Sequence, residues 1–205
     1  MYPPFTIGAT FRIAPPGTPP STDGRIDLIM ERGAFGSGEH ETTASCLEML
    51  AELPEIRGAR LLDLGSGTGV LALGALKLGA ASAVCIDINP EAVETARGNG
   101  EHNGMGDRLI HRAGVLSSAG EEPFDLVLAN IYGDLLLDMA EDLVGRVRPG
   151  ALVLLSGILW EYNFEVRQRY ERLGCEVLAN RMLEQFSTVL LRKAESATKA
   201  PRHQV

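Results

Sequence analysis

Positive charge is the first thing this sequence is short of: 19 Lys and Arg stand against 27 Asp and Glu, a net charge of −8. A general nucleic-acid binder carries a basic footprint, so nucleic acid is an unlikely partner, and the acidic balance weakly favours cationic substrates. Long apolar runs are also missing. None approaches the roughly 20 residues of a helical membrane span, and Met1-Tyr2-Pro3-Pro4 lacks the basic and apolar character of a leader. Cysteine is scarce: Cys46, Cys85 and Cys175 are odd in number and lack metal-ligand spacing. They fit buried free thiols in a reducing cytoplasm, and no metal site is expected. There are no internal repeats, and 205 residues suffice for one well-cored domain but hardly for two.

The informative stretch runs from Leu61 to Asp87. Leu61-Leu62-Asp63-Leu64 is a short apolar strand leading into Gly65-Ser66-Gly67-Thr68-Gly69. Val70 to Leu78 then carries apolar side chains at helical spacing, and Gly79 suits the helix C-cap. Ala83-Val84-Cys85-Ile86 is a second strand, ending on Asp87. Glycines at such a bend let backbone approach a ligand closely, and the helix start presents unpaired N–H groups. An acid about 20 residues past the glycines is where such folds hold ribose hydroxyls. The unit therefore binds a nucleoside-containing cofactor. A dinucleotide fingerprint wants Gly or Ala where Val70 stands, and no Gly-Lys-Ser/Thr triplet of an NTPase loop follows. Asp63-x-Gly65-x-Gly67-x-Gly69 instead resembles the first motif of class I S-adenosylmethionine methyltransferases. There Asp63 would organise the loop near the cationic methionine part of the cofactor.

Upstream, residues 1–25 look like a proline-rich linker, since Pro3-Pro4, Pro15-Pro16-Gly17 and Pro19-Pro20 cannot sit inside a helix. Phe5, Phe11 and Ile13 would anchor it across the domain, and Ile26 to Met30 suits a short strand. Gly33 to Thr43 holds three glycines in six residues, with Glu41 or Thr42 placed to cap a helix running through Ala51. Downstream, Asn89-Pro90-Glu91 starts a helix ending at Asn103-Gly104, with its last turn weakened by Gly98 and Gly100. Leu109-Ile110-His111 opens a third strand. Val115 stands where many class I methyltransferases place an acid for the adenine amino group, so adenine recognition would rest on backbone and packing. Phe124 to Tyr132 is a buried-type strand ending at Asn130, a polar residue beside the glycine loop, since ligands in open α/β sheets bind outside the strands' carboxyl ends. Leu135 to Val147 suits one amphipathic helix, Ala151 to Leu155 a fifth strand and Trp160 to Leu173 a helix stopped by Gly174. Cys175 to Leu183 and Phe186 to Arg192 suit a closing antiparallel hairpin, and residues 194–205 a disordered tail.

Ala34-Phe35-Gly36-x-Gly38-x-His40-x-Thr42-Thr43, with Gly65 to Asp87, Ala129-Asn130-Ile131 and Ser156-Gly157-Ile158-Leu159, resembles the PrmA family. These bacterial enzymes methylate amino groups of the large-subunit ribosomal protein L-eleven. The resemblance runs from about Phe11 to Lys193. The family's loop has Thr where Ser37 and Glu39 stand and Pro where Glu41 stands. The resemblance implies that Thr43 contacts the methionine end of the cofactor, Gly65 lines it and Asp87 holds its ribose. Phe35 and His40 match the loop that closes over it, and Asn130 borders the methyl-transfer site. Family members carry an additional N-terminal domain that grips the ribosomal substrate. By resemblance this chain starts in what would be the linker, either as a fragment or as a stand-alone relative.

The fold expected is α/β, a doubly wound, Rossmann-like, seven-stranded class I methyltransferase sheet with an antiparallel C-terminal hairpin, over residues 26–193. The function expected is methyl transfer from S-adenosylmethionine to an amine nitrogen of a protein, a lysine or N-terminus, in the cytoplasm. Cofactor-binding candidates are Phe35, Thr43, Asp63, Gly65, Gly67, Gly69, Asp87 and Asn130. Asn130 would align the amine, and Glu39, His40 and Tyr132 are candidate bases. A small-molecule methyltransferase and a cofactor-binding protein without transfer activity stand as alternatives; an NAD-dependent oxidoreductase is disfavoured by Val70.

Overall fold

The computed structural model describes residues 2–31 and 39–195. Its frame is a seven-stranded sheet of β4 (Arg60–Leu64), β5 (Ser82–Asp87), β6 (Leu109–Ala113), β7 (Phe124–Asn130), β8 (Val147–Leu159), β9 (Cys175–Met182) and β10 (Phe186–Lys193). Their order is β6-β5-β4-β7-β8-β10-β9. β6, β5, β4, β7 and β8 are parallel neighbours, while β10 runs antiparallel between β8 and β9. This is the expected doubly wound sheet with its C-terminal hairpin.

Alternation along each strand fills both faces. Leu61, Cys85, Leu126, Leu128, Leu152 and Leu154 face α1 (Glu41–Ala51) and α2 (Val70–Lys77). Leu62, Val84, Val127, Val153 and Leu191 face α4 (Gly133–Asp138), α5 (Ala140–Gly145) and α6 (Trp160–Arg172), where Val166 and Tyr170 are fully buried. After β4 the chain winds outward through β5 and β6, then returns to place β7 on the other side of β4. The carboxyl ends of β4 and β7 thus flank the topological switch point, where such sheets bind ligands. Among the described residues, no helix is long and apolar enough to cross a membrane.

Three segments differ from the sequence expectations. The residues read as linker supply β1 (Phe5–Ile7) and β2 (Phe11–Ala14), which join β3 (Ile26–Ile29) in a separate three-stranded sheet. Phe11, Ile13 and Leu28 are fully buried against α1 and α2. The Pro15-Pro16 and Pro19-Pro20 pairs lie in the β2–β3 connection, where a missing N–H costs nothing. The helix expected over Leu135 to Val147 is two, parted at Met139, and β8 is longer than Ala151 to Leu155. Residues 196–205, the expected tail, lie outside the described residues.

Asn89 caps α3 (Pro90–His102), its side chain accepting from the Glu91 N–H at 2.9 Å. This helix continues through both of its glycines, and the two differ. A Cβ at Gly98 would meet nothing within 4 Å, whereas one at Gly100 would lie 2.9 Å from Leu109 Cδ1. Gly98→Ala should therefore stabilise the fold by about 0.5–1 kcal/mol through helix propensity. Gly100→Ala should gain less, because Leu109 must shift. Thermal unfolding of both variants checks this, and equal gains would contradict the close approach to β6.

Candidate functional site

β4 delivers the glycine loop to the switch point. Gly65, Gly67 and Gly69 all have positive φ (71°, 53° and 79°), backbone that side chains disfavour. Space is equally restrictive at Gly65, where a Cβ would lie 2.4 Å from Ile131 Cγ2. The Gly65 and Ser66 N–H groups both donate to the Ile86 carbonyl, at 2.8 and 3.0 Å. Ser66 Oγ is buried with no hydrogen-bond partner among the described residues.

Two carboxylates hold this loop. Asp87 Oδ2 accepts from the Gly67 N–H at 2.8 Å, and its Oδ1 accepts from the Asn89 N–H at 2.9 Å. Each oxygen keeps a further lone pair for a hydroxyl donor. Asp63 is 1% exposed, and its Oδ2 accepts from the Ala72 N–H at 3.2 Å. Gly69, the N-cap of α2, has no side chain to do this, so Asp63 caps the helix from the neighbouring strand. Beyond Asp87, two aliphatic side chains stand open to solvent, Ile88 at 79% and Val115 at 59%. The Gly114 N–H donates to the Asp87 carbonyl at 2.9 Å and so holds the Val115 segment beside it.

Across the switch point, β7 ends at Asn130, whose Nδ2 donates to Thr43 Oγ1 at 3.4 Å. Thr43 is buried in the first turn of α1. The next residue, Ile131, donates its N–H to the Ser156 carbonyl at 3.1 Å. A Cβ on Gly157 would fall 2.5 Å from the Ile131 carbonyl oxygen. Ile131 is thus pressed between two glycines, Gly65 and Gly157, and this fixes the position of Asn130 relative to the loop. Neither contact was drawn from the sequence. The glycine inside β8 is the available signal, since glycine in a strand marks close backbone approach.

The outer candidates are placed differently. His40 is the N-cap of α1, in place of the expected Glu41 or Thr42. Its Nδ1 accepts from the Thr42 N–H at 3.3 Å and lies 2.8 Å from Thr42 Oγ1. A neutral imidazole accepting through Nδ1 carries its proton on Nε2. The His40 ring meets Phe186 edge-on, with centroids 5.1 Å apart. Glu41 accepts instead from the Glu184 and Gln185 N–H groups of the β9–β10 turn. Tyr132 is exposed at the N-cap of α4. Phe35, with the rest of residues 32–38, lies outside the described residues. Among the described residues no group of three or more His, Cys, Asp and Glu is placed to hold a metal ion. Burial raises the Cys46 thiol to about 12 and the Cys85 thiol well above its ordinary value, as suits inert core thiols.

Burial raises the Asp63 carboxyl from 3.8 to about 7; the Ala72 N–H opposes the rise and the Asp87 charge adds to it. The folded chain then holds a proton that the unfolded chain has released, so this group's contribution to stability falls as pH rises from about 4 to about 7. Asp63→Asn should abolish that decline. Urea unfolding at a series of pH values should show variant-minus-parent stability increasing across this window; a constant difference would mean that Asp63 does not titrate there.

Residues 1–193 match the family described as Ribosomal protein L11 methyltransferase (PrmA). A ribosomal protein L11 methyltransferase of Azotobacter vinelandii is 41% identical over 179 residues, covering 87% of this chain and 60% of the relative. One from an Exiguobacterium species is 35% identical, covering 85% and 55%. The chain thus spans somewhat over half the length of these curated relatives. Among solved structures, a ribosomal protein L11 methylase from Lactobacillus delbrueckii subsp. bulgaricus superposes with a TM-score of 0.84 at 25% identity, covering 94% of this chain and all of that one. An RNA methyltransferase from Salinibacter ruber, solved in complex with S-adenosyl-L-homocysteine, shares the fold (TM-score 0.61, 22% identity, 76% and 95% covered). With the glycine loop, Asp87 and Asn130 gathered at one switch point and the match running through to the last strand, the chain belongs to the ribosomal protein L11 methyltransferase (PrmA) family.

Proposed function

We propose that this chain transfers a methyl group from S-adenosylmethionine to an amine nitrogen of a protein, with the ribosomal protein named for its relatives as the first acceptor to test. The observation that carries the reading is the convergence of the Asp63-to-Gly69 loop, Asp87 and Asn130 around the gap between β4 and β7. The donor set fits the cofactor: it needs backbone approach and a hydroxyl acceptor, with no cation to neutralise phosphates. Gly65 leaves room for no side chain, and the buried Ser66 Oγ, without a partner among the described residues, is a spare polar atom of the loop.

In this reading Asp87 accepts the ribose hydroxyls, and Ile88 and Val115 offer apolar contact to the adenine faces. The backbone of Gly65, Gly67 and Gly69 lines the cofactor, Thr43 contacts its methionine end, and Asp63 is the nearby counter-charge. A cation held there favours ionised Asp63, since opposite charge stabilises the charged form. The cofactor supplies an electrophilic methyl on a positively charged sulfur.

The chain's own part is to present a neutral amine. Deprotonating a lysine of ordinary pKa costs roughly 4–5 kcal/mol at pH 7. Holding two reactants in alignment is worth about 7–11 kcal/mol, so positioning is the larger effect. Asn130 spends Nδ2 on Thr43, and its Oδ1 has no hydrogen-bond partner among the described residues. That oxygen accepts an amine N–H and directs the nitrogen lone pair. A protein acceptor is favoured over a small molecule by the rim, where Tyr132, Trp160 and Phe164 are 68%, 53% and 65% exposed. Trp160 Nε1 donates to the Phe186 carbonyl, and Phe186 meets His40, so part of this open aromatic edge is continuous with the start of α1.

The test is transfer of tritiated methyl from the cofactor, with the purified ribosomal protein and a small-molecule extract offered separately. Label is expected in the protein; label only in the small-molecule fraction would refute the acceptor class. Asn130→Ala should lower turnover about 100-fold through misalignment, far more than it weakens calorimetric cofactor affinity, where only the long bond to Thr43 is lost. Unchanged turnover would remove Asn130 from the role.

A further inference from the structure

Asn99 belongs to neither the glycine loop nor the acceptor side, yet it is fully buried in the last turn of α3. Its Oδ1 accepts from the Glu31 N–H at 2.7 Å, and its Nδ2 donates to the Glu31 carbonyl at 3.4 Å and to the Thr68 carbonyl at 3.0 Å. One turn later Asn103 treats β3 in the same way. Its Oδ1 accepts from the Ile29 N–H at 3.0 Å and its Nδ2 donates to the Ile29 carbonyl at 2.7 Å. The spacing explains the match. Four helical residues advance about 6 Å, and two extended residues advance about 6.6 Å, so amides at i and i+4 meet alternate residues, Ile29 at the end of β3 and Glu31 just beyond it.

Of the two amides, the one that reaches the glycine loop is Asn99. The Thr68 carbonyl lies inside the glycine loop, and the same peptide carries the Gly69 N–H, which donates to the Ser66 carbonyl at 2.8 Å. A planar peptide points these two groups in opposite directions. The Thr68–Gly69 peptide is therefore held from both sides, by Asn99 and by the loop itself. α3 also supports this turn through Ala96, whose Cβ would lie 3.2 Å from a Cβ on Gly69. Glycines on both sides of Thr68 leave its peptide planes free to rotate at little cost unless something holds them.

We propose that Asn99 is a positioning residue for the cofactor loop: its amide N–H fixes the Thr68–Gly69 peptide, and so aims the neighbouring Gly67 N–H at Asp87 and Gly69 at the start of α2. It also ties that loop to the end of β3, so the binding loop and the N-terminal sheet move as one unit. This rests on the reading that the loop binds S-adenosylmethionine.

Asn103 provides a matched control, because it makes the same clamp on β3 without touching the loop. Asn99→Asp keeps the acceptor toward Glu31 but turns an oxygen toward the Thr68 carbonyl; Asn103→Asp makes the equivalent change at Ile29 and at the Asn99 carbonyl, to which Asn103 Nδ2 also donates at 2.8 Å. Both variants should lower the melting midpoint. Only Asn99→Asp should weaken calorimetric binding of S-adenosyl-L-homocysteine, by about 10-fold, the size of one lost hydrogen bond. If Asn99→Asp does not fold, Asn99→Ala against Asn103→Ala carries the same comparison. Equal affinity in the two variants would overturn the positioning role and leave the cofactor reading standing. Failure of the parent chain to bind either S-adenosylmethionine or S-adenosyl-L-homocysteine would overturn both.

Discussion

Ile131 occupies space that a side chain on either Gly65 or Gly157 would require. That exclusion joins three strands at their carboxyl ends: Gly65 leaves β4, Ile131 leaves β7, and Gly157 lies within β8. Because close-packed interiors transmit rather than absorb displacement, the wedge sets the distance between the glycine loop and Asn130. The proposed chemistry needs that distance fixed, since the loop is proposed to hold the methyl donor and Asn130 the acceptor amine. The remaining architecture holds these strand ends in place, with α1 and α2 covering one face of the sheet and α4 to α6 the other.

Electrostatics adds a second layer to the same loop. Asp63 and Asp87 lie on adjacent parallel strands and both accept backbone N–H groups, yet their surroundings differ. Asp87 is partly exposed and keeps lone pairs available, whereas Asp63 is enclosed and its carboxyl is raised to about 7. Burying a carboxylate is costly without a compensating charge. One backbone N–H at the start of α2 is partial compensation, and a cationic ligand would complete it. The loop is therefore organised by an acid whose charge state responds to what binds beside it.

Local pattern carried much of the architecture. The glycine loop and Asp87, the Asn89-Pro90 helix start, the α6 stop at Gly174 and the C-terminal hairpin all follow from residue types at fixed offsets. Other features depend on contacts between distant segments. Proline pairs made residues 1–25 look like a linker, but Phe11 and Ile13 find a core supplied by α1 and α2, with Pro15-Pro16 and Pro19-Pro20 left in the β2–β3 connection. Composition pointed to Glu41 or Thr42 as the cap of α1, yet His40 takes that place and Glu41 binds the β9–β10 turn more than 140 residues away. The Asn130–Thr43 pair spans 87 positions and the Asn99–Thr68 bond 31. No spacing rule announces such pairs. Gly157 gave a hint that a strand was being approached closely, without saying by what.

The paired amides of α3 have one more effect, on the solubility of the N-terminal sheet. One side of β3 is paired with β2, and a strand's other side normally displays free N–H and C=O groups that can recruit a foreign strand. Here the Ile29 and Glu31 peptide groups on that side are already engaged by Asn103 and Asn99. A helix that lends its side-chain amides in this way occupies the end of a small sheet's border, leaving fewer groups there for a foreign strand without adding another strand.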